Sequence, residues 1–184
     1  GGMQILIGGL SAALLNYGPV KIFAEKQKNS DLYDKKFQYN ITRVSGIKLF
    51  RKFRKANLVN NYLKENSSIK ALIADHWKSL EYINKKYLLN KKTLCLIHSK
   101  EINHPINSRL NKRMIECFSK ADFIISNSNF TKSLAQKNGI DVNKIKVIHP
   151  GVNYCEEPGE ENIKAAQNLL KDSFPCLITV ARFD

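Results

Sequence analysis

Three of the chain's four histidines follow short apolar runs: His76 in Asp75-His76-Trp77, His98 in His98-Ser-Lys-Glu101, and His149 in His149-Pro150-Gly151. Asn127-Ser128 stands in the same relation to the run Phe123–Ser126. In an open parallel α/β sheet, ligands collect beyond the carboxyl ends of the strands, so these positions are where side chains meet a substrate. His98 is the strongest candidate. An imidazole there can donate to developing negative charge or to a hydroxyl, or accept a proton. Glu101 can serve as a base, or simply as a first-turn acid favoured by the helix dipole. Each histidine alone is also readable as a hydrogen-bonded structural residue. His149-Pro150-Gly151 has the residues of a turn, since proline fixes φ and glycine permits a close bend. Gly1-Gly2 precedes a helical pattern, an arrangement that brings a phosphate or sugar close to backbone N–H groups.

The elements that must position these groups alternate. Apolar or β-branched runs at Val20–Glu25, Phe37–Val44, Ile69–Ala74, Thr93–Ile97, Phe123–Ser126, Ile145–Ile148 and Cys176–Val180 are expected strands. Helical patterns are expected at Met3–Asn16, Ile47–Glu65, Ser79–Leu89, Ser108–Ser119, Phe130–Asn138 and Glu161–Lys171, with Ser128 as an N-cap and Gly139 as a left-handed terminator. Near-continuous apolar strands alternating with helices predict an α/β, doubly wound, mainly parallel sheet covered by helices on both faces. The chain opens on a glycine pair without a strand before it and stops just after Cys176–Val180, so a fragment trimmed at both ends is expected.

Length and composition narrow the classes. The 184 residues suit one domain, or one plus part of another, and 43% apolar with 25% charged residues is ordinary globular usage. No apolar run approaches the ~20 residues that cross a bilayer. The four cysteines are scattered, with no CxxC pair and no histidine at ligand spacing; Cys95 and Cys176 sit in apolar runs where buried free thiols are usual. A reducing cytoplasm is the expected location, with no metal and no cofactor. Dinucleotide, P-loop, HExxH and GxSxG signatures are absent, as is an Asp-x-Asp for a divalent cation.

The net charge of +14 is concentrated in part at Lys48-Leu-Phe-Arg-Lys-Phe-Arg-Lys. Leu49, Phe50, Phe53, Ala56, Val59, Tyr62 and Leu63 recur at three- and four-residue intervals, so they share a helical stripe. The stripe can face the core with a solvated basic side, lie on anionic lipid, or grip nucleic-acid phosphates. Cations at a helix start oppose the dipole, so helix stability is not what placed them there. Peripheral contact of residues 48–63 with an anionic membrane is an added expectation.

Asn127-Ser-Asn-Phe-Thr-Lys, followed by Asn138-Gly-Ile and Lys144-Ile-Lys-Val-Ile-His-Pro-Gly-Val-Asn153, resembles the end of the N-terminal domain in GT-B, family 4 glycosyltransferases. Gly1-Gly2-Met3-Gln4 resembles their glycine loop, and His98-Ser-Lys-Glu101 the segment where they place an active-site histidine. Ile178-Thr-Val-Ala-Arg182-Phe-Asp is similar to the opening strand of their second domain. The resemblance implies an acceptor-side domain over 1–153 and, over 154–184, a linker helix with the first strand of a donor-binding domain.

It further implies a retaining, metal-independent transfer of a sugar from a nucleotide-sugar to a glycan or lipid-linked acceptor, the chain itself being inactive. By the same resemblance His98 contacts the transferred sugar, and Gly1 and Gly2 line the cleft. Glu101 counts among the donor or substrate contacts. Arg182 neutralises the donor diphosphate, and His76 and Trp77 lie on the acceptor side. Ser99 stands where many members carry glycine. A nucleic-acid-binding module and another sugar-nucleotide enzyme, such as an epimerase, are the alternatives; the aromatic RNA signatures and the glycine-rich dinucleotide turn that they call for are missing. Self-association is expected if Cys176–Val180 presents an unpaired edge.

Overall fold

The computed structural model describes residues 2–151 and 157–171. The chain divides into two compact units, Gly1–Pro150 and Gly151–Asp184. In the second, one helix is described, α8 (Glu160–Leu170); Cys176–Val180 and Arg182 lie outside the described residues.

The first unit alternates as its hydrophobic runs require: α1 (Gly2–Leu14), β1 (Lys21–Glu25), α2 (Ser30–Asp34), β2 (Asn40–Val44), α3 (Lys48–Glu65), β3 (Ala71–Ala74), α4 (Trp77–Leu80), β4 (Lys92–Ile97), α5 (Ser99–Ile102), α6 (Arg109–Phe118), β5 (Phe123–Ser126), α7 (Asn129–Lys137) and β6 (Ile145–Val147). All strand pairs are parallel. Parallel neighbours need long crossovers, and helices supply them. The ladders form a four-stranded sheet, β3-β4-β5-β6, and a separate two-stranded one, β1-β2. The expected α/β, mainly parallel, Rossmann-like class stands, with its strands in these two ladders.

Strand β4 is the centre of the unit. Thr93, Cys95, Leu96 and Ile97 are all buried and Leu94 among them is half-buried, as expected of a strand covered on both sides. Trp77, Leu80, Ile102, Met114, Phe118, Ile124 and Ala135 close around it. A second cluster, Ala56, Val59, Leu63, Ile83 and Leu88, joins α3 to the turn after α4 and includes Phe23 of β1 at its margin. Helix α3 therefore links the two sheets.

Where the expected helix Ser79–Leu89 would run, there are instead one turn of α4 and a one-turn 3-10 segment, Lys85–Tyr87. The cause lies in competing hydrogen bonds. The Lys120 ammonium donates to the carbonyls of Leu80, Glu81 and Ile83 at 2.8, 2.8 and 3.0 Å. Asn84 N–H, which a continuing helix would send to Leu80, goes to Asn60 Oδ1 at 3.0 Å, and Asn60 Nδ2 donates to the Tyr82 carbonyl at 3.0 Å. By contrast α7 starts and stops as its sequence predicts. Ser128 Oγ accepts from Thr131 N–H at 3.1 Å, and Gly139 adopts φ +83° just beyond the last turn.

Candidate functional site

The carboxyl edge of the four-stranded sheet assembles the polar groups. Ala74 pairs with Cys95, Ile97 with Ser126, and Ser126 with Val147. The register therefore carries His98 and Asn127 to one level immediately beyond β4 and β5. His98 is backbone-extended and half-buried at the start of α5. Its N–H donates to the Glu101 carboxylate, which fixes Glu101 as the first-turn acid of that short helix. His98 Nε2 is shielded from solvent and has no hydrogen-bond partner among the described residues. It is thus a nitrogen held in place by its backbone, with its own bonding capacity uncommitted.

His76, beyond β3, caps α4: its Nδ1 accepts from Lys78 N–H at 3.0 Å. Burial first, and then the neighbouring Lys78 cation, pull its titration down to about 4, so the ring is neutral near pH 7. His98 is among the charges that act on it, which places the two imidazoles in one electrostatic neighbourhood. Asp75 accepts from Ser79 Oγ at 2.9 Å.

Trp77 lies between the two strand ends, 0% exposed, and its Nε1–H donates to the Glu101 carbonyl at 2.9 Å. It therefore ties α4 to the α5 turn that orients His98. The expectation of an acceptor contact is corrected for Trp77, because a ring with no exposed surface cannot touch a substrate; it positions its neighbours. His104 packs edge-on against Trp77, ring centroids 6.1 Å apart, and its Nε2 is also buried without a partner among the described residues. Sequence reasoning passed over His104 because it follows no strand. Its place six residues after His98, at the far end of one helical turn, was the available signal.

The remaining candidates are dispersed. His149 is exposed beyond β6. Gly1 lies outside the described residues. Gly2 opens α1, and that helix meets the 33–39 segment: a Cβ at Gly8 would touch Tyr33 and Phe37, and Tyr39 Oη donates to the Gly8 carbonyl at 3.4 Å. No hydrogen bond among the described residues joins the start of α1 to His98. Two open depressions occur elsewhere, one of about 300 Å³ bordered by Ser45, Arg54, Asn57 and Asn61, another of about 270 Å³ bordered by Leu15, Lys36 and Tyr39. Among the described residues no group of three His, Cys, Asp or Glu side chains could hold a metal ion. Cys95 and Cys117 are buried free thiols, both made harder to ionise by burial, Cys117 to about 11.

A parallel α/β domain that gathers histidines at the carboxyl edge of its sheet has the architecture of one half of a GT-B enzyme. The family model described as Glycosyltransferase Family 4 matches residues 1–154, and the chain belongs to that family. Among solved structures, Anabaena HepE in complex with UDP aligns with a TM-score of 0.66 at 15% identity, over 93% of this chain and 47% of that one. The same protein in complex with UDP-glucose gives 0.65 at 16%, over 93% and 46%. A glycosyltransferase from Rickettsia africae gives 0.61 at 16%, over 92% and 45%. The chain thus spans less than half the length of these structures. No curated protein sequence matches it significantly.

Proposed function

We propose that the chain forms the acceptor-side half of a retaining glycosyltransferase that takes a sugar from a nucleotide-sugar and passes it to a glycan or lipid-linked acceptor. The observation that carries this reading is His98: an imidazole beyond the central strand, anchored by Glu101 through its backbone, with Nε2 uncommitted. A nitrogen so held can donate to the transferred sugar or to charge that develops in the transition state. His76, neutral near pH 7, supplies a second polar group on the same edge. The roles of Gly1 and Gly2 beside the donor diphosphate, and of Arg182 as its counter-charge, extend the reading on family resemblance. So does independence from metal. The free thiols Cys95 and Cys117 support a reducing, cytoplasmic setting.

Donor binding in this scheme needs groups from both halves of a cleft. Calorimetric titration of the chain with UDP-glucose should therefore show affinity weaker than micromolar. In the chain joined to a donor-binding half, His98→Ala should lower kcat by about 10²–10⁴ and leave the donor KM nearly unchanged. An unaltered kcat would remove His98 from the chemistry, and inversion of the anomeric centre in the product would exclude the retaining course.

A further inference from the structure

We infer that the first two turns of α3, with the turn that precedes them, form a docking surface for an anionic lipid bilayer. The last three turns of this helix are ordinary core: Ala56, Val59 and Leu63 are buried. Its beginning runs past the core. Ile47 and Leu49 are 70% and 69% exposed, Phe50 is 53% exposed and Phe53 38%. The stripe that is continuous in sequence is thus split, with its C-terminal half used for folding and its N-terminal half presented to solvent.

Cations surround these apolar groups. Between Lys35 and Lys64 there are nine Lys or Arg residues and no Asp or Glu. Arg51 is occupied with the carbonyls of Gly46 and Lys26 at 2.7 and 3.3 Å, and Lys55 approaches Glu25 at 4.0 Å. Lys48, Lys52 and Arg54 have no carboxylate partner among the described residues. The Arg54 guanidinium lies against Gly46, whose φ of +100° lets the chain turn beneath it. Arg54 also borders the polar depression lined by Ser45, Asn57 and Asn61. Positive charge at a helix start works against the dipole, and while Phe53 packs on Tyr82 with ring centroids 4.4 Å apart, Ile47, Leu49 and Phe50 leave more than half of their surface in water.

An anionic bilayer accommodates both features at once: cations meet headgroup phosphates while aliphatic and aromatic side chains enter the acyl boundary. Nucleic acid accommodates only the first, because Ile47 and Leu49 gain nothing from phosphates. The docking surface is independent of the transfer reaction and stands or falls without it.

Flotation with vesicles tests it. The chain should rise with phosphatidylcholine/phosphatidylglycerol vesicles and not with phosphatidylcholine alone. The pair Lys48→Gln and Arg54→Gln should weaken binding roughly 30-fold, about fivefold per charge. The pair Leu49→Ser and Phe50→Ser should abolish the portion of binding that survives high salt. Trp77 is buried and the only tryptophan, so unchanged emission verifies that each variant is folded. Equal recovery with neutral vesicles, no recovery at all, or parental binding by the Leu49/Phe50 pair would overturn the inference. So would salt-sensitive binding to duplex DNA without binding to vesicles.

Discussion

The two sheets of the first unit are built from similar hydrophobic runs yet hold together differently. In β4 four of the six residues are buried, and the side chains that close the core include a fully buried tryptophan. In β1 every residue is only half-buried. There the structure relies on a two-toothed ion pair, Arg43 to Asp34, and on a chain of aromatic contacts, Tyr33–Phe37 at 5.0 Å and Phe37–Tyr39 at 4.9 Å. His76 and His98 stand on the densely packed sheet, whereas the exposed Ile47–Phe50 stretch, proposed above as a docking surface, stands at the end of the thinly packed one. The proposed site and the proposed docking surface thus fall in regions that are packed differently.

The contrast can be broken hardest at its best-packed point. Trp77→Ala should cost about 3–5 kcal/mol through lost burial and the unpaired Glu101 carbonyl, roughly 10 °C in Tm. A loss comparable to that of an exposed residue in thermal denaturation would show that the β4 core is not the rigid region.

A smaller effect is expected from pH. The titration of His76 falls from an ordinary 6.5 to about 4 on folding. The unfolded chain therefore takes up the proton first, so this contribution is complete above pH 6.5 and declines as pH falls towards 4. The slope is at most about 1.4 kcal/mol per pH unit. His76→Asn keeps an acceptor for Lys78 N–H and should flatten the slope in urea titrations across that window.

The smallest effect belongs to the thin sheet. Asp34→Asn should cost about 1 kcal/mol, in keeping with a partly exposed pair. Arg43 holds the Asp34 carboxyl below its ordinary value, so this stabilisation is present above the unfolded value of 3.8 and lost as pH drops through the lower folded one. Wild type and variant should converge in stability below that range. Divergence there would show that Asp34 acts through something other than its charge.

The strands of the packed sheet were legible because their burial comes from their own residues: the run Phe123–Ser126 is β5, residue for residue. The failures have two sources. Helix α4 is cut short by Lys120 and Asn60, which lie far along the chain, and no local pattern announces a carbonyl taken by a distant ammonium. Helix α2 is a five-residue segment entered through Asn29 at φ +62°, too short for a periodicity. At the site, strand-end logic found His76, His98 and Glu101 together. The acceptor-side placement of Trp77 rests on the family resemblance, and aromatic character does not distinguish a substrate platform from an internal strut. His104 is visible only once Trp77 is placed.

Lys120 leaves a lopsided tolerance to mutation. Its three acceptors are main-chain oxygens, which every amino acid carries, so the side chains at 80, 81 and 83 can be exchanged without removing an acceptor. Position 120 has no such freedom. A neutral side chain strands the three oxygens, and the flat fork of arginine cannot converge on them as a tetrahedral ammonium does. One side chain, 40 residues further along the sequence than Leu80, thus governs how the chain leaves α4.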